Sequence, residues 1–263
     1  MTPSARKPSR HELGGDQVEG RQAVRELLVA GRRKVYELWV AGDYERGGPL
    51  RDLADLAKRS RVTVKQVSPG KLDAAARTDA PQGVLARCAP LVEADVDAMV
   101  RRKKGVAPFL IAVDGVTDPG NLGALLRAAE TAGVTGVLLP RHRSVHVTPT
   151  VAKAAAGAIE YLPMAVVAGL PSAIERLKSA GVWVVGLDAG GREPIDRLTL
   201  ATEPLVLVLG AEGRGLSPLV RKRCDAVAAI PLRGRLGSLN VAAAATIACY
   251  EVARQRGAPA DTD

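Results

Sequence analysis

Five polar side chains stand where this sequence turns most sharply, and their types suit the handling of a nucleotide-like ligand. Glu212 lies inside a glycine turn, Gly210-Ala-Glu-Gly-Arg-Gly215, that follows the apolar run Leu205 to Leu209. A charged residue is rarely buried without a partner or a task. About twenty residues on, the short run Val227 to Ile230 ends in a second glycine loop, Pro231 to Gly237, and Ser238, Leu239 and Asn240 open an alanine-rich stretch. Upstream, Asp118-Pro-Gly-Asn121 leads into LGALLR, which places Arg127 off the apolar stripe of Leu122, Leu125, Leu126 and Ala129. Four of the five have a plain alternative. Asn121 or Ser238 is also helix-cap chemistry, Asn240 a first-turn residue, and Arg127 with Glu130 a surface ion pair.

The familiar phosphate templates do not fit. Leu216 follows the last glycine where a Walker A loop needs Lys and then Ser or Thr. The spacing is not GxGxxG, and the turn closes its domain rather than following a first strand, which disfavours a nicotinamide dehydrogenase. No GxSxG elbow is present for an acyl hydrolase. Residue types and spacing therefore reach as far as a nucleotide-like ligand held at two glycine loops.

The elements that must position these residues follow from periodicity. From Phe109 onward, apolar strand runs (FLIAV, VTGVLL, LPMAVV, VWVVGL, LVLVL) alternate with helical patterns at Asn121 to Ala132, Pro149 to Ile159 and Ser172 to Ala180. Such alternation predicts an α/β fold with a parallel sheet covered on both faces. Ligands in such sheets lie beyond the carboxyl ends of the strands. Before it, residues 16–90 show a smaller α/β pattern: helices at Gln22 to Ala30, Leu50 to Arg59 and Lys71 to Arg77, strands at Val35 to Val40, Val62 to Val67 and Val84 to Ala86. Residues 1–15 are expected to be a disordered basic arm and 258–263 a tail. Residues 91–107 form a basic linker with a helix from Leu91 to Lys104.

The formal net charge is +9, divided as +7 over residues 1–105 and +2 over residues 106–263. That asymmetry points to a polyanion, nucleic acid, gripped by the first half, with Arg21, Arg32 and Arg33 near element ends as phosphate contacts; a solvated surface is the alternative. Aromatic residues are 3% of the chain, so recognition by stacking bases on a sheet has little material. Three cysteines without CxxC spacing and three histidines argue against a disulfide framework or a metal site. No apolar run suggests a membrane span or signal segment, so the expected location is the cytoplasm.

At three segments the sequence resembles a known family. DPGNLGALLRAA (118–129), LVLGAEGRGL and IPLRGRLGSLNVAAAA (230–245) are similar to the three motifs of the SpoU (TrmH-type) ribose 2′-O-methyltransferases of the SPOUT superfamily. VAKAAAGAIEYLPMAVV and EGRQAVRELL resemble the branch that modifies a guanosine of large-subunit ribosomal RNA. The resemblance spans about Glu19 to Arg256.

It implies a carboxyl-terminal domain, residues 108–257, tied in a deep trefoil knot, an amino-terminal L30e-like domain that docks RNA, and a homodimer. It implies S-adenosylmethionine as cofactor, held by Leu209, Gly210, Ile230, Leu232 and Leu239. Asn121, Arg127, Glu212, Ser238 and Asn240 match the family's functional polar positions, and ribosomal RNA is the implied partner. Methylation of transfer RNA or of another ribosomal nucleotide, including resistance methylation, and non-catalytic RNA binding in ribosome assembly are the competing readings.

Overall fold

The computed structural model describes residues 13–101, 105–142, 145–211 and 213–257. Two sheets organise the chain. The first contains β1 (Gln17–Glu19), β2 (Val35–Ala41), β3 (Thr63–Val67) and β4 (Val84–Cys88), in the order β1-β4-β2-β3. Only β2 and β3 run parallel. Helices α1 (Arg21–Ala30), α2 (Pro49–Arg59) and α3 (Pro69–Ala75) complete this unit, and α4 (Val96–Met99) lies in the connection to the next.

The second sheet contains β5 (Phe109–Asp114), β6 (Gly136–Pro140), β7 (Met164–Val167), β8 (Trp183–Leu187), β9 (Glu193–Pro194), β10 (Leu205–Gly210) and β11 (Ala226–Ala229). Its order is β7-β6-β5-β10-β8-β11-β9, and every pairing is parallel. Helices α5 (Pro119–Thr131), α6 (Pro149–Ala154), α7 (Leu170–Ser179), α8 (Pro218–Arg223) and α9 (Val241–Arg256) cover it. The central strands β5 and β10 are apolar on both faces because both faces are packed: Phe109, Ile111 and Val113 join one core, Leu110 and Ala112 the other. Strand β10 sits between β5 and β8, so the strand order reverses there, where an open α/β sheet forms its ligand crevice.

Small residues set the helix spacing near that point. A Cβ added at Gly123 of α5 would overlap Ala154 of α6. The alanine face of α9 (Ala245, Ala248) packs with Cys249 and Val252 into the same core. At its far end Arg256 donates to the carbonyls of Ala107 and Pro108, which fastens the helix to the entry of β5.

Three expectations are corrected here. The amino-terminal arm was drawn to Gly15, but Leu13 is fully buried in the main core and Gly14 bridges Val147. Residues 1–12 and the tail 258–263 lie outside the described residues. Among the described residues of the linker the helix is confined to the four residues of α4, because Leu91 N–H bonds to Gly14 and Ala94 N–H to Met164, drawing the chain out along its neighbours. Strand β1 was unforeseen, being short and polar. Its buried Glu19 accepts hydrogen bonds from Gln17, from the Arg77 and Thr78 N–H groups and from the Thr78 hydroxyl.

Candidate functional site

Strands β8, β10 and β11 deliver three loops to one end of the sheet, and these enclose a cavity of about 330 Å³. Leu187 and Leu209 at strand ends and Ile230 just beyond β11 line it, Gly210, Ala211, Gly213 to Gly215 and Gly237 to Leu239 flank it, and Val241 and Ala244 of α9 close one side. That volume lies in the range of small-molecule sites. All five expected cofactor residues, Leu209, Gly210, Ile230, Leu232 and Leu239, line it together with Ser238.

The first loop is tight. Ala211 and Gly215 exchange both backbone hydrogen bonds, at 3.1 and 2.9 Å. Gly210 is required there, since a Cβ would overlap the backbone of Gly215. Gly215 has φ +63°, and a Cβ on it would come within 2.6 Å of the Asp188 carboxylate. Glu212, expected in the site, lies outside the described residues.

Asp188 is not singled out by any motif, yet it organises the cavity wall. Its carboxylate pairs with Arg221 at 2.8 Å and accepts from Gly190 N–H at 3.0 Å and, at the limit of a bond, from Leu216 N–H at 3.5 Å. Burial opposes its ionisation, but the Gly190 N–H, the Arg221 guanidinium and the Leu216 N–H outweigh that and hold the carboxyl below the ordinary range. The available signal was Asp188-Ala-Gly-Gly191 after an apolar strand, a third glycine loop at the same sheet end. On the other side Asp114, ending β5, accepts from Ser217 N–H at 2.7 Å and fixes the start of α8.

The remaining polar residues come from two helix starts that face each other. Asn240 Nδ2 donates to Asn121 Oδ1 at 2.9 Å, joining α9 to α5. Their capping roles differ from the alternatives drawn from sequence. Asp118 caps α5, accepting from Asn121 N–H at 2.6 Å, so Asn121 is a first-turn residue. Asn240 caps α9, accepting from Ala242 and Ala243, so Ser238 is not the cap. Arg127, two turns along α5, is exposed and forms no ion pair with Glu130 or any other acid among the described residues.

The expected RNA contacts separate. Arg21 and Arg32 are exposed; Arg21 Nε donates to the Gln82 carbonyl, and Arg32 donates to the Tyr161 carbonyl and lies over its ring. Arg33 is a correction. Its side chain is 5% exposed, pairs with Glu160 at 2.5 Å and donates to the carbonyls of Gly15 and Ala89. It binds the two halves of the chain to each other and offers no guanidinium to a phosphate. Among the described residues no cluster of three or more metal-ligating side chains occurs, and no helix is long and apolar enough to cross a membrane.

A parallel α/β sheet with a backbone-walled cavity at its order reversal defines the class, an enzyme-type nucleotide or nucleotide-cofactor site. Comparison with known proteins then makes the assignment specific. Residues 108–250 match the SpoU rRNA methylase family model, and residues 17–93 match the model for RNA 2′-O ribose methyltransferase substrate binding. A Bacillus subtilis protein whose name places it in the TrmH family of tRNA/rRNA methyltransferases is 39% identical over 92% of this chain and 96% of its own. The chain therefore belongs to the SpoU rRNA methylase family, a family of RNA methyltransferases.

Two solved structures resemble it along most of its length. The SpoU methyltransferase AviRb from Streptomyces viridochromogenes in complex with AdoMet is 26% identical with a TM-score of 0.74, covering 91% of this chain and 90% of that one. An AdoMet-bound rRNA methyltransferase from Sinorhizobium meliloti is 25% identical with a TM-score of 0.73, covering 91% and 87%.

Proposed function

We propose that this chain transfers a methyl group from S-adenosylmethionine to the ribose 2′-oxygen of a guanosine in large-subunit ribosomal RNA, as a homodimer with a knotted carboxyl-terminal domain and an L30e-like RNA-docking domain. The observation that carries the reading is the convergence at the end of β10. One cavity collects every expected cofactor residue, and the bonded pair Asn121 and Asn240 ties together the helix starts that follow the first and third motifs.

The residues present fit the cofactor. Leu187, Leu209, Ile230 and Leu239 offer an apolar bed for a flat base, and loop backbone supplies hydrogen-bonding groups. When bound, S-adenosylmethionine supplies a methyl group activated by its sulfonium. The protein must hold the ribose oxygen in line with that carbon and stabilise the oxygen as its proton leaves. A guanidinium stays protonated in proteins. Arg127 therefore acts as a cation, gripping the neighbouring phosphate or the developing alkoxide, and the proton passes to that phosphate or to a nearby acceptor. Asn121 and Asn240 keep the two helix starts in register; Ser238 and Glu212 order the third and second motif loops.

The test is methyl transfer itself. Labelled S-adenosylmethionine is incubated in parallel with unmodified ribosomal RNA and with unmodified transfer RNA, and the product is mapped by resistance to alkaline cleavage at a single position. A stop within transfer RNA instead would move the substrate to the second reading, which the tRNA/rRNA naming of the relatives supports. RNA binding with no methyl incorporation would leave an assembly protein. Arg127→Lys retaining most of the rate would remove the bidentate clamp from the mechanism.

A further inference from the structure

The mouth of the cavity carries positive charge that no acid among the described residues answers. Arg214 lines the cavity within the Gly210 to Gly215 loop, and Arg233 and Arg235 lie between Leu232 and Gly237, which also line it. All three are exposed, and none forms an ion pair among the described residues. Neighbouring cations behave otherwise. Arg221 is paired with Asp188, Arg223 with Glu175 and Lys178 with Asp225. Two described acids at the same end of the sheet are already engaged, Asp188 by Arg221 and Asp114 by the Ser217 N–H.

The third loop is built in the same sense. Residues 231–238 are all exposed, and Leu236 is 82% exposed beside Arg235. Arg233 and Arg235 are flanked there by Leu232 and Leu236, an arrangement that offers contact to sugars and bases as well as to phosphates. A bound sulfonium would add one more positive charge beside these guanidinium groups. Like charges gathered at one mouth repel one another, and a polyanion lying across it relieves that repulsion. In the amino-terminal unit, by contrast, several cations are paired: Arg33 with Glu160, Lys65 and Arg87 with Glu37, Arg51 with Asp55 and Arg77 with Asp16.

We propose that Arg214, Arg233 and Arg235 form a phosphate rail that holds a single RNA strand across the cavity mouth, next to the nucleotide to be methylated. The proposal rests on the RNA-methyltransferase reading and deepens it, moving a main electrostatic grip from the amino-terminal unit to the edge of the reaction site. Guanidinium forks suit this task because they engage a phosphate through two parallel hydrogen bonds.

The experiment uses the full chain, its Arg233→Ala/Arg235→Ala and Arg214→Ala variants, and an Arg233→Lys/Arg235→Lys pair. Binding of a fluorescein-labelled single-stranded RNA is followed by anisotropy across a salt series, and S-adenosylmethionine is titrated separately by calorimetry. The double alanine variant is expected to bind RNA about tenfold more weakly near 0.1 M salt, with the slope of log K against log salt reduced by about 1.4, roughly 0.7 per lost phosphate contact. Arg214→Ala is expected to lower the slope by about 0.7. The lysine pair should keep the wild-type slope, and cofactor affinity in the Arg233/Arg235 variants should stay within about twofold of wild type, since neither residue lines the cavity. Unchanged RNA affinity and slope in both alanine variants would overturn the rail even if the wild type methylates RNA. A wild type that binds RNA with the full slope but never transfers a methyl group would sink the enzymatic reading and leave the rail standing.

Discussion

Replacing Arg33 by methionine would strand a carboxylate at the junction between the two sheets. In the native chain the Arg33 and Glu160 side chains are 5% and 1% exposed and meet through two hydrogen bonds, Nη2 to Oε1 at 2.5 Å and Nε to Oε2 at 2.9 Å. Arg33 Nη1 also donates to Gly15 and Ala89. Removing one partner of a buried pair leaves the other charge without compensation and typically costs about 3–5 kcal/mol. Against a total stability of roughly 5–15 kcal/mol, that is a large fraction. Replacing both residues by methionine removes the charge problem and leaves only two carbonyls short of a donor, at about 1 kcal/mol each. The double variant is therefore expected to recover at least half of the single variant's loss. Urea unfolding followed by circular dichroism measures this, and Trp39 in β2 and Trp183 in β8 report separately on the two sheets once each is replaced in turn by phenylalanine. Because Arg33 is buried, Arg33→Met should also leave the salt dependence of RNA binding unchanged. A loss below about 1 kcal/mol in the single variant, or a double variant as unstable as the single, would refute the buried-pair argument.

Four further outcomes are expected. Asn240→Ala removes the cap of α9 and the donor to Asn121, lowering stability by about 1–2 kcal/mol, whereas Asn240→Asp keeps the cap and loses only the donor; wild-type methylation by Asn240→Asp would reduce the asparagine pair to scaffolding. Gly210→Ala drives a Cβ into the Gly215 backbone and should abolish the heat of S-adenosylmethionine binding, so a normal titration would contradict the close-packed loop. Asp188 is held below its ordinary range, so its contribution is complete above the unfolded carboxylate value and is lost only as pH falls through the lower folded value; Arg221→Met should move the acid-side loss of cofactor binding to higher pH, and an unmoved limb would show that the pair does not hold the loop. Burial pushes the thiols of Cys88 and Cys249 up to about 12 and that of Cys224 to about 11, so iodoacetamide at neutral pH should label none of them before urea is added, as mass spectrometry would show.

The second sheet was legible because its central strands are covered on both faces and so read as unbroken apolar runs. The glycine loops were legible for a related reason: a glycine cluster at a strand end marks backbone that approaches backbone. The failures come from contacts that no local window contains. Charge counting made Arg33 a phosphate ligand, but its partner Glu160 lies 127 residues away. The linker read as a helix by composition, but hydrogen bonds to Gly14 and Met164 hold it extended. Strand β1 was passed over because Gln17 and Glu19 look like loop residues until their buried partners are known. The caps of α5 and α9 were each misplaced, by three and two residues, because Asp, Ser and Asn all have capping side chains and only backbone geometry decides which one does so.

The site divides its work between two kinds of support. The cavity wall depends on backbone approach: a Cβ at Gly186 would meet Leu216, one at Gly191 the backbone of Ala228, and one at Gly210 the backbone of Gly215. Loops packed this closely hold a ligand through main-chain groups, and few side chains there need a fixed identity beyond Asp188 and Arg221, which set the loop positions. Asn121, Arg127 and Asn240 instead stand on or cap helices that belong to the main core through Leu122, Leu125, Leu126, Ala245 and Ala248. Changes in the loops should therefore act first on cofactor affinity, while changes at the helix starts should act on turnover with the cofactor still bound. That separation follows from the geometry because the loops line the cavity largely through backbone, whereas Asn121 and Asn240 are bonded to each other at the starts of two helices anchored in the core.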